Sequence, residues 1–275
     1  MNLYIDLLKR ALTYSLYEKD EKWEPSAAEL EIGQRALDSA LNKYIDRVTA
    51  EKDAEASRLL CASAAQVAFL HHQNTKRAHA LSAMSGLNNL HQCVEAVLND
   101  DVYGDLMECG VWRGGLCVLM RGILKAYDSD RTVWVADSFQ GLPETETNLK
   151  DAIWQELLRP INCLSVPLEE VKDIFQRYDL LDDQVKFLKG WFDDTIPTAP
   201  VNKLAILRLD GDYYDSTIVC LEHLYPKVSP GGFVILDDYG LLTGEKNAVD
   251  EYRAKHGITD RMIQVNDQEY FWRKS

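Results

Sequence analysis

Two segments of this 275-residue chain stop an apolar run abruptly on aspartates: Leu207-Arg-Leu-Asp-Gly-Asp-Tyr-Tyr-Asp215 and Val234-Ile-Leu-Asp-Asp-Tyr239. A short apolar run reads as a buried strand. In open α/β sheets, ligands bind in the crevice beyond the carboxyl ends of the strands. On that reading Asp210, Asp237 and Asp238 converge at one edge of a sheet. Three crowded carboxylates repel one another unless a cation or a proton sits between them, and hard oxygen ligands suit Mg²⁺ or Ca²⁺. A metal held there could bind two adjacent substrate hydroxyls and lower the pKa of one. Asp210 could take the released proton as general base. A structural or capping role for these acids is the alternative. Asp212 and Asp215 suit a turn and a helix start, where negative charge meets the helix N-terminus.

A second constellation is Glu108-Cys-Gly-Val-Trp-Arg-Gly-Gly115, at a strand-to-helix junction. Gly110, Gly114 and Gly115 allow a tight turn and close approach of a ligand, and the amides of the following helix can donate to an anionic group. The spacing is not G-x-G-x-x-G. With Glu108 in front, it looks more like an S-adenosylmethionine pocket than a dinucleotide one. The residues Gly110, Val111, Trp112, Arg113 and Gly114 are its expected lining, with the methionyl carboxylate near these amides and Arg113. A plain βα turn with glycines for packing is the competing reading. Asp137 ends the next strand, and an acid there can accept both ribose hydroxyls; Ser138 and Phe139 follow it. After a third strand, Lys189-Gly-Trp-Phe-Asp-Asp194 places Gly190 and Trp191 to cover an adenine, although Trp191 and Phe192 also suit a core.

The elements that must position these residues alternate. Residues 1 to about 100 read as helical, with Leu8, Leu12 and Leu16 at helical spacing and Ala-rich stretches between Ala27 and Ala68. From about residue 102, strands are predicted at Asp105–Cys109, Thr132–Ala136, Val185–Leu188, Leu204–Leu209 and Gly232–Leu236. Helices are predicted at Gly114–Tyr127, Leu168–Tyr178, a segment ending at Leu224, and Glu245–His256. Ser229-Pro-Gly-Gly232 reads as a turn. Met262–Val265 and Tyr270–Arg273 read as a closing hairpin that adds one antiparallel strand. Alternating βα units imply a parallel sheet with helices on both faces. Residues 143–167 form a long insertion, part of it helical, of the kind that often covers an active site. The expected division is a helical cap or lid with oligomer contacts over residues 1–100, and a catalytic domain over 101–275.

Bulk properties narrow the partners. The hydrophobic content of 46% supports a full core, and the net charge of −14 argues against nucleic acid or an anionic membrane surface. The start of the chain shows no signal-peptide pattern, and no apolar run approaches the length of a membrane span. Six scattered cysteines without a C-x-x-C pair read as buried free thiols in a reducing cytoplasm. His71 and His72 could reach a substrate only if the helical segment folds over the cleft. His256 before Gly257 reads as a helix end.

With these pieces together the chain resembles the macrocin O-methyltransferase family of S-adenosylmethionine-dependent sugar O-methyltransferases. The matching segments are Leu3 to Thr13, Glu108 to Gly115, Val133 to Pro143, Arg177 to Asp183, Leu207 to Asp212, Ile235 to Tyr239 and Tyr270 to Arg273. The resemblance covers residues 1–20 and nearly all of 84–275. It implies a class I methyltransferase (Rossmann-like) α/β fold with a mostly parallel seven-stranded sheet and an N-terminal helical cap. It also implies Mg²⁺-dependent methylation of a sugar on a glycosylated natural product by a homo-oligomer. Carried over, Asp210, Asp237 and Asp238 match the family's metal ligands, and Asp210 its general base. Glu108, Asp137 and Ser138 match its cofactor pocket, in which Asp210 is also placed. Glu24 to Ala80 and Asn148 to Pro167 are enlarged and poorly matched. Those regions cap the acceptor in this family, so a macrolide acceptor is not carried over.

The reading is therefore methyl transfer to a vicinal diol of a sugar, with S-adenosylmethionine and Mg²⁺ as cofactors. Three rivals stand beside it. A methyltransferase of a catechol-like diol would need the same core motifs. A non-catalytic binding partner would not need the full set of acids. A nicotinamide-dependent dehydrogenase would need a different glycine spacing.

Overall fold

The computed structural model describes residues 3–16, 25–52, 56–57, 60, 78–145, 149–158 and 164–275. The chain separates into two compact units, one of residues 1–16, 78–140 and 166–275, the other of 17–77 and 141–165.

The first unit is built on a seven-stranded sheet: β1 (Asp105–Cys109), β2 (Val133–Asp137), β3 (Val185–Lys189), β4 (Leu204–Leu209), β5 (Val228–Leu236), β6 (Ile263–Gln264) and β7 (Tyr270–Arg273). Their spatial order is β3-β2-β1-β4-β5-β7-β6. The first five pair in parallel, β7 runs antiparallel to β5, and β6 pairs antiparallel with β7. The chain winds outward from β1 through β2 to β3, then returns to β4 on the other side of β1. That reversal makes the carboxyl ends of β1 and β4 the switch point where such sheets bind ligands.

Period-two alternation sorts the strands' side chains onto two buried faces. Leu106, Val133, Val135, Ile206, Phe233 and Ile235 pack into one layer, while Met107, Cys109, Leu207, Leu209, Val234 and Leu236 pack into the other. The first layer is covered by α1 (Leu3–Leu12), α3 (Met84–Asn99), α4 (Gly115–Ala126) and α6 (Leu168–Arg177). The second is covered by α8 (Tyr214–Leu224) and α9 (Thr243–His256), with the single turn α7 (Phe192–Thr195) beside them. Glu108 and Arg208 fall in step with Leu106 and Ile206, so they lie on the face covered by α4.

The second unit contains α2 (Ala27–Glu51) and α5 (Leu149–Leu158). Ser26 and Glu29 form a reciprocal capping box at the start of α2. Ala36, Leu37, Ala40, Tyr44 and Val48 recur at helical spacing and pack on Leu149, Ala152, Ile153 and Leu157. Ser39 donates to Glu156 across 2.6 Å.

Two expectations change. The division does not fall at residue 100, because Ile5, Leu8 and Leu12 of α1 and Leu87, Leu90 and Val94 of α3 share the core of α4 and the sheet. Helical periodicity marks an apolar face without naming what covers it. The segment Ser229–Gly232 lies inside β5, as a bulge between the pairs Leu204–Val228 and Ile206–Phe233. Gly231 adopts a φ of +83°, which lets the extra residues loop out without ending the strand.

Candidate active site

The ladder carries on one residue past the strand ends and sets the site's row of residues. Gly110 N–H donates to Ala136 O (2.9 Å), Asp210 N–H to Cys109 O (2.9 Å), and Asp237 N–H to Leu209 O (3.0 Å). On the far side Gly190 N–H donates to Asp137 O at 3.0 Å. Gly190, Asp137, Gly110, Asp210 and Asp237 thus stand side by side along one edge. Gly110 must be glycine: its φ is +86°, and a Cβ there would come within 1.7 Å of Asp210 O.

Asp210, Asp237 and Asp238 meet as expected, each offering a carboxylate oxygen, and these oxygens lie within 4.8 Å of one another. Burial pushes the Asp210 carboxyl well above the usual carboxylate range; Asp237 adds to the rise and Arg208 opposes it. Asp238 is raised for the same first reason, with Asp237 and Asp212 adding to it.

Arg208 organises this cluster. Its guanidinium is 1% exposed; Nη1 donates to Glu108 (2.7 Å) and Asp210 (2.8 Å), and Nη2 pairs with Asp237. One buried cation therefore joins acids from β1, β4 and β5. Its signal was present in the sequence as a charge inside the run Leu204–Leu209, since a fully buried Arg must be paired. Glu245, in the first turn of α9, also escaped sequence reasoning: it resembled an ordinary helix-start acid, yet it is completely buried.

The glycine turn after β1 forms, and its residues are tied into the fold by specific contacts. Glu108 is 1% exposed and faces inward, accepting from Arg208 with one oxygen and from the Cys117 thiol with the other (2.8 Å). Burial raises its pKa, and Arg208 opposes the rise. Asp137 accepts from the amides of Val111 (2.8 Å) and Phe139 (2.7 Å), fastening the glycine turn to the end of β2. Burial raises the Asp137 carboxyl, and these amide bonds oppose that. Trp112 takes a left-handed φ of 48°. Arg113 stacks over the Trp112 ring at 4.5 Å and donates to Ala78 O at 2.9 Å. Gly114 caps α4 without a side-chain hydrogen bond, and the backbone of His79 and Ala80 packs closely on Gly115. Ser138 and Phe139 are buried, and Ser138 Oγ accepts from Gln140 N–H at 3.0 Å. Gly190 has a φ of +146°, and Trp191, half-buried, caps α7. His71 and His72 lie outside the described residues. Cys93, Cys109, Cys117 and Cys220 are free and buried, while Cys61 and Cys163 are also outside that set.

A family model described as macrocin-O-methyltransferase (TylF) matches residues 1–274. The chain belongs to that family. A demethyldecarbamoylnovobiocin O-methyltransferase of Streptomyces niveus is 53% identical over 200 residues, 72% of this chain and 76% of the relative. An 8-demethyl-8-(2,3-dimethoxy-alpha-L-rhamnosyl)-tetracenomycin-C 4'-O-methyltransferase of Streptomyces olivaceus is 42% identical over 274 residues, 99% of this chain and 92% of the relative. Among solved structures, the O-methyltransferase NovP superposes with a TM-score of 0.76 at 41% identity, covering 99% of this chain and 98% of that one. The calicheamicin methyltransferase CalS11 shares the fold, with a TM-score of 0.57 at 19% identity over 93% of this chain and 98% of that one. The protein is thus an O-methyltransferase of the S-adenosylmethionine-dependent class, with the class I fold. No helix among the described residues is long and apolar enough to cross a membrane.

Removing Arg208 should leave Glu108 as an uncompensated buried charge. Arg208→Ala is expected to cost about 3–5 kcal/mol in urea unfolding, and Arg208→Met combined with Glu108→Gln should recover part of it. Equal losses in the two variants would contradict the pairing. Glu269, which accepts from Asn89 at 3.1 Å, supplies a pH signature. Burial pushes its carboxyl up to about 7, with Arg208 opposing the rise. The folded state then holds this proton more tightly than the unfolded chain, so stability declines as pH rises from about 4.5 to about 7. Glu269→Gln should match the wild type near pH 4.5 and gain on it up to pH 7, measured by urea unfolding across that range. A difference independent of pH would show that Glu269 has the same proton affinity in the folded and unfolded chain.

Proposed function

We propose that this enzyme methylates a hydroxyl of a vicinal diol on the sugar of a glycosylated natural product, with a divalent cation, Mg²⁺, on Asp210, Asp237 and Asp238. The observation that carries the reading is the convergence of these three carboxylates at the switch point beside the cofactor turn. The donor set suits a hard cation: oxygens around an ion with bonds of about 2.1 Å stand roughly 3–4 Å apart, within the spacing seen. The name of the Streptomyces olivaceus relative points to a glycosylated acceptor that carries a rhamnosyl group and is methylated at a 4' hydroxyl.

S-adenosylmethionine suits the turn between β1 and α4, which Asp137 braces, next to Gly190 and Trp191. The N-terminal end of α4 favours its carboxylate, and Asp137 and Ser138 stand at the ribose end. Glu108 serves this pocket indirectly by holding β1 to Arg208. When bound, the cofactor supplies an electrophilic methyl group on a sulfonium. When bound, the cation supplies charge that lowers the pKa of a nearby hydroxyl.

The chain's own residues do the rest. Arg208 holds Asp210 and Asp237 in fixed rotamers, so the acids need little rearrangement to act. Asp210, its proton affinity raised by burial and by Asp237, accepts the hydroxyl proton. With the cofactor bound, the hydroxyl oxygen would take its methyl group, and the electron pair of the broken C–S bond would stay on sulfur. Trp191 and the Gly190 turn keep water from the cofactor side. Homo-oligomer formation is part of the proposal, supported by the exposed apolar face of Leu3, Tyr4 and Leu7 on α1.

Exhaustive chelation should abolish methyl transfer, and added Mg²⁺ should restore it, while S-adenosylmethionine binding measured by calorimetry persists. Asp237→Asn should lower kcat at least about 100-fold with the same retention of cofactor binding. Full turnover after chelation would remove the cation from the mechanism, and transfer to phenolic diols but no glycosides would replace the sugar by a catechol-like acceptor. Light scattering should give a mass of two or more chains; a monomer's mass would end the oligomer proposal.

A further inference from the structure

Glu245 has no place in the chemistry above, and its surroundings are unusual for a carboxylate. It is completely buried in the first turn of α9. One oxygen, Oε2, accepts the backbone N–H of Asp238 at 3.1 Å. The other, Oε1, is buried and has no hydrogen-bond partner among the described residues. Leaving a buried acceptor unsatisfied costs about 1–3 kcal/mol. The charges that bear on Glu245 most strongly are those of Asp210 and Asp237, both acidic. Arg208, the buried cation of the cluster, directs its hydrogen bonds to Glu108, Asp210 and Asp237. Glu245 is not among the acids whose oxygens meet within 4.8 Å, so it stands one step further out, behind Asp238.

We propose that Glu245 is a fourth acid of the cation site, a positioning residue that fixes Asp238 through Oε2 and accepts through Oε1 a hydrogen bond from a water or hydroxyl on the ion. The proposal rests on the reading of Asp210, Asp237 and Asp238 as a divalent-cation site. Mg²⁺ held by Asp210, Asp237 and Asp238 would keep water or a substrate hydroxyl on the positions those acids leave open. Such waters are donors. A buried acceptor beside the ligands orients them, and outer carboxylates of this kind typically change metal affinity by about 10–100-fold when removed. The unpartnered Oε1 is the acceptor that such a donor requires.

The test titrates Mn²⁺ into the full chain, with free Mn²⁺ followed by electron paramagnetic resonance and Mg²⁺ by calorimetry. Glu245→Gln is isosteric: its carbonyl can still receive the Asp238 N–H, while its NH₂ puts a donor where Oε1 accepts. We expect Mn²⁺ and Mg²⁺ affinity to fall about 10–100-fold. The metal-free variant should melt at or above the wild-type temperature, since a buried acid among acids has been removed. Affinity within twofold of wild type would overturn the proposal and assign Glu245 as a neutral structural acid. If Glu245→Gln does not fold, Glu245→Ser is measured against the same threshold. Asp237→Asn separates the two levels of the argument. Loss of binding in Asp237→Asn alone keeps the cation site and removes Glu245 from it, whereas a wild type that takes up no Mn²⁺ removes both.

Discussion

The guanidinium of Arg208 is the constraint on which the site depends. A cation this deeply buried is tolerable only if its donors are met by acids, and these come from three adjacent strands: Glu108 from β1, Asp210 after β4 and Asp237 after β5. The requirement works in both directions. The acids would repel one another without the cation, and the cation would be too costly to bury without the acids. Charge therefore reinforces what the backbone ladder already dictates, at the edge where the ladder ends and side chains begin to face a ligand. Glu108 belongs equally to the glycine turn, so that turn and the acidic cluster share one rigid connection.

Strand ends were legible in the sequence because their signal is local. Leu204–Leu209 and Asp105–Cys109 are apolar runs cut off by polar residues, and the row of Asp137, Asp210 and Asp237 follows from where those runs stop. Function beyond the row was less legible. Asp137 read as a ligand for a ribose, yet in the fold it also binds the amides of Val111 and Phe139, a role that exists only once β1 and β2 are adjacent. Arg208 stands as a charge inside an apolar run, and two of its partners, Glu108 and Asp237, come from β1 and the end of β5, far away in sequence. Ser229–Gly232 carries turn residues, but the pull of the β4 ladder on both sides keeps it within a strand as a bulge. Long-range pairing overrode local preference in each case.

The two faces of the sheet divide the labour. The layer beneath α4 and α3 carries Glu108 and Arg208 and is closed to solvent by large apolar neighbours, which keeps the local dielectric low and the ion pairs strong. The opposite layer, beneath α8 and α9, is apolar through Leu207, Leu209, Val234 and Leu236, and serves to press β4 and β5 into register. Asp210 and Asp238 owe their raised proton affinity first to burial. The same packing that stabilises the fold thus raises the proton affinity of ordinary carboxylates.

The pairing of α2 with α5 has a bearing on how the chain is made. Ala36, Leu37, Ala40 and Tyr44 find their cover on residues that follow about a hundred positions later. At ribosomal speeds of about 5–20 residues per second, that stripe waits roughly 5–20 seconds for its partner. Throughout that interval α2 is a nascent amphipathic helix without the cover that Leu149, Ala152, Ile153 and Leu157 later supply, which makes this segment a natural point of engagement for a chaperone during synthesis.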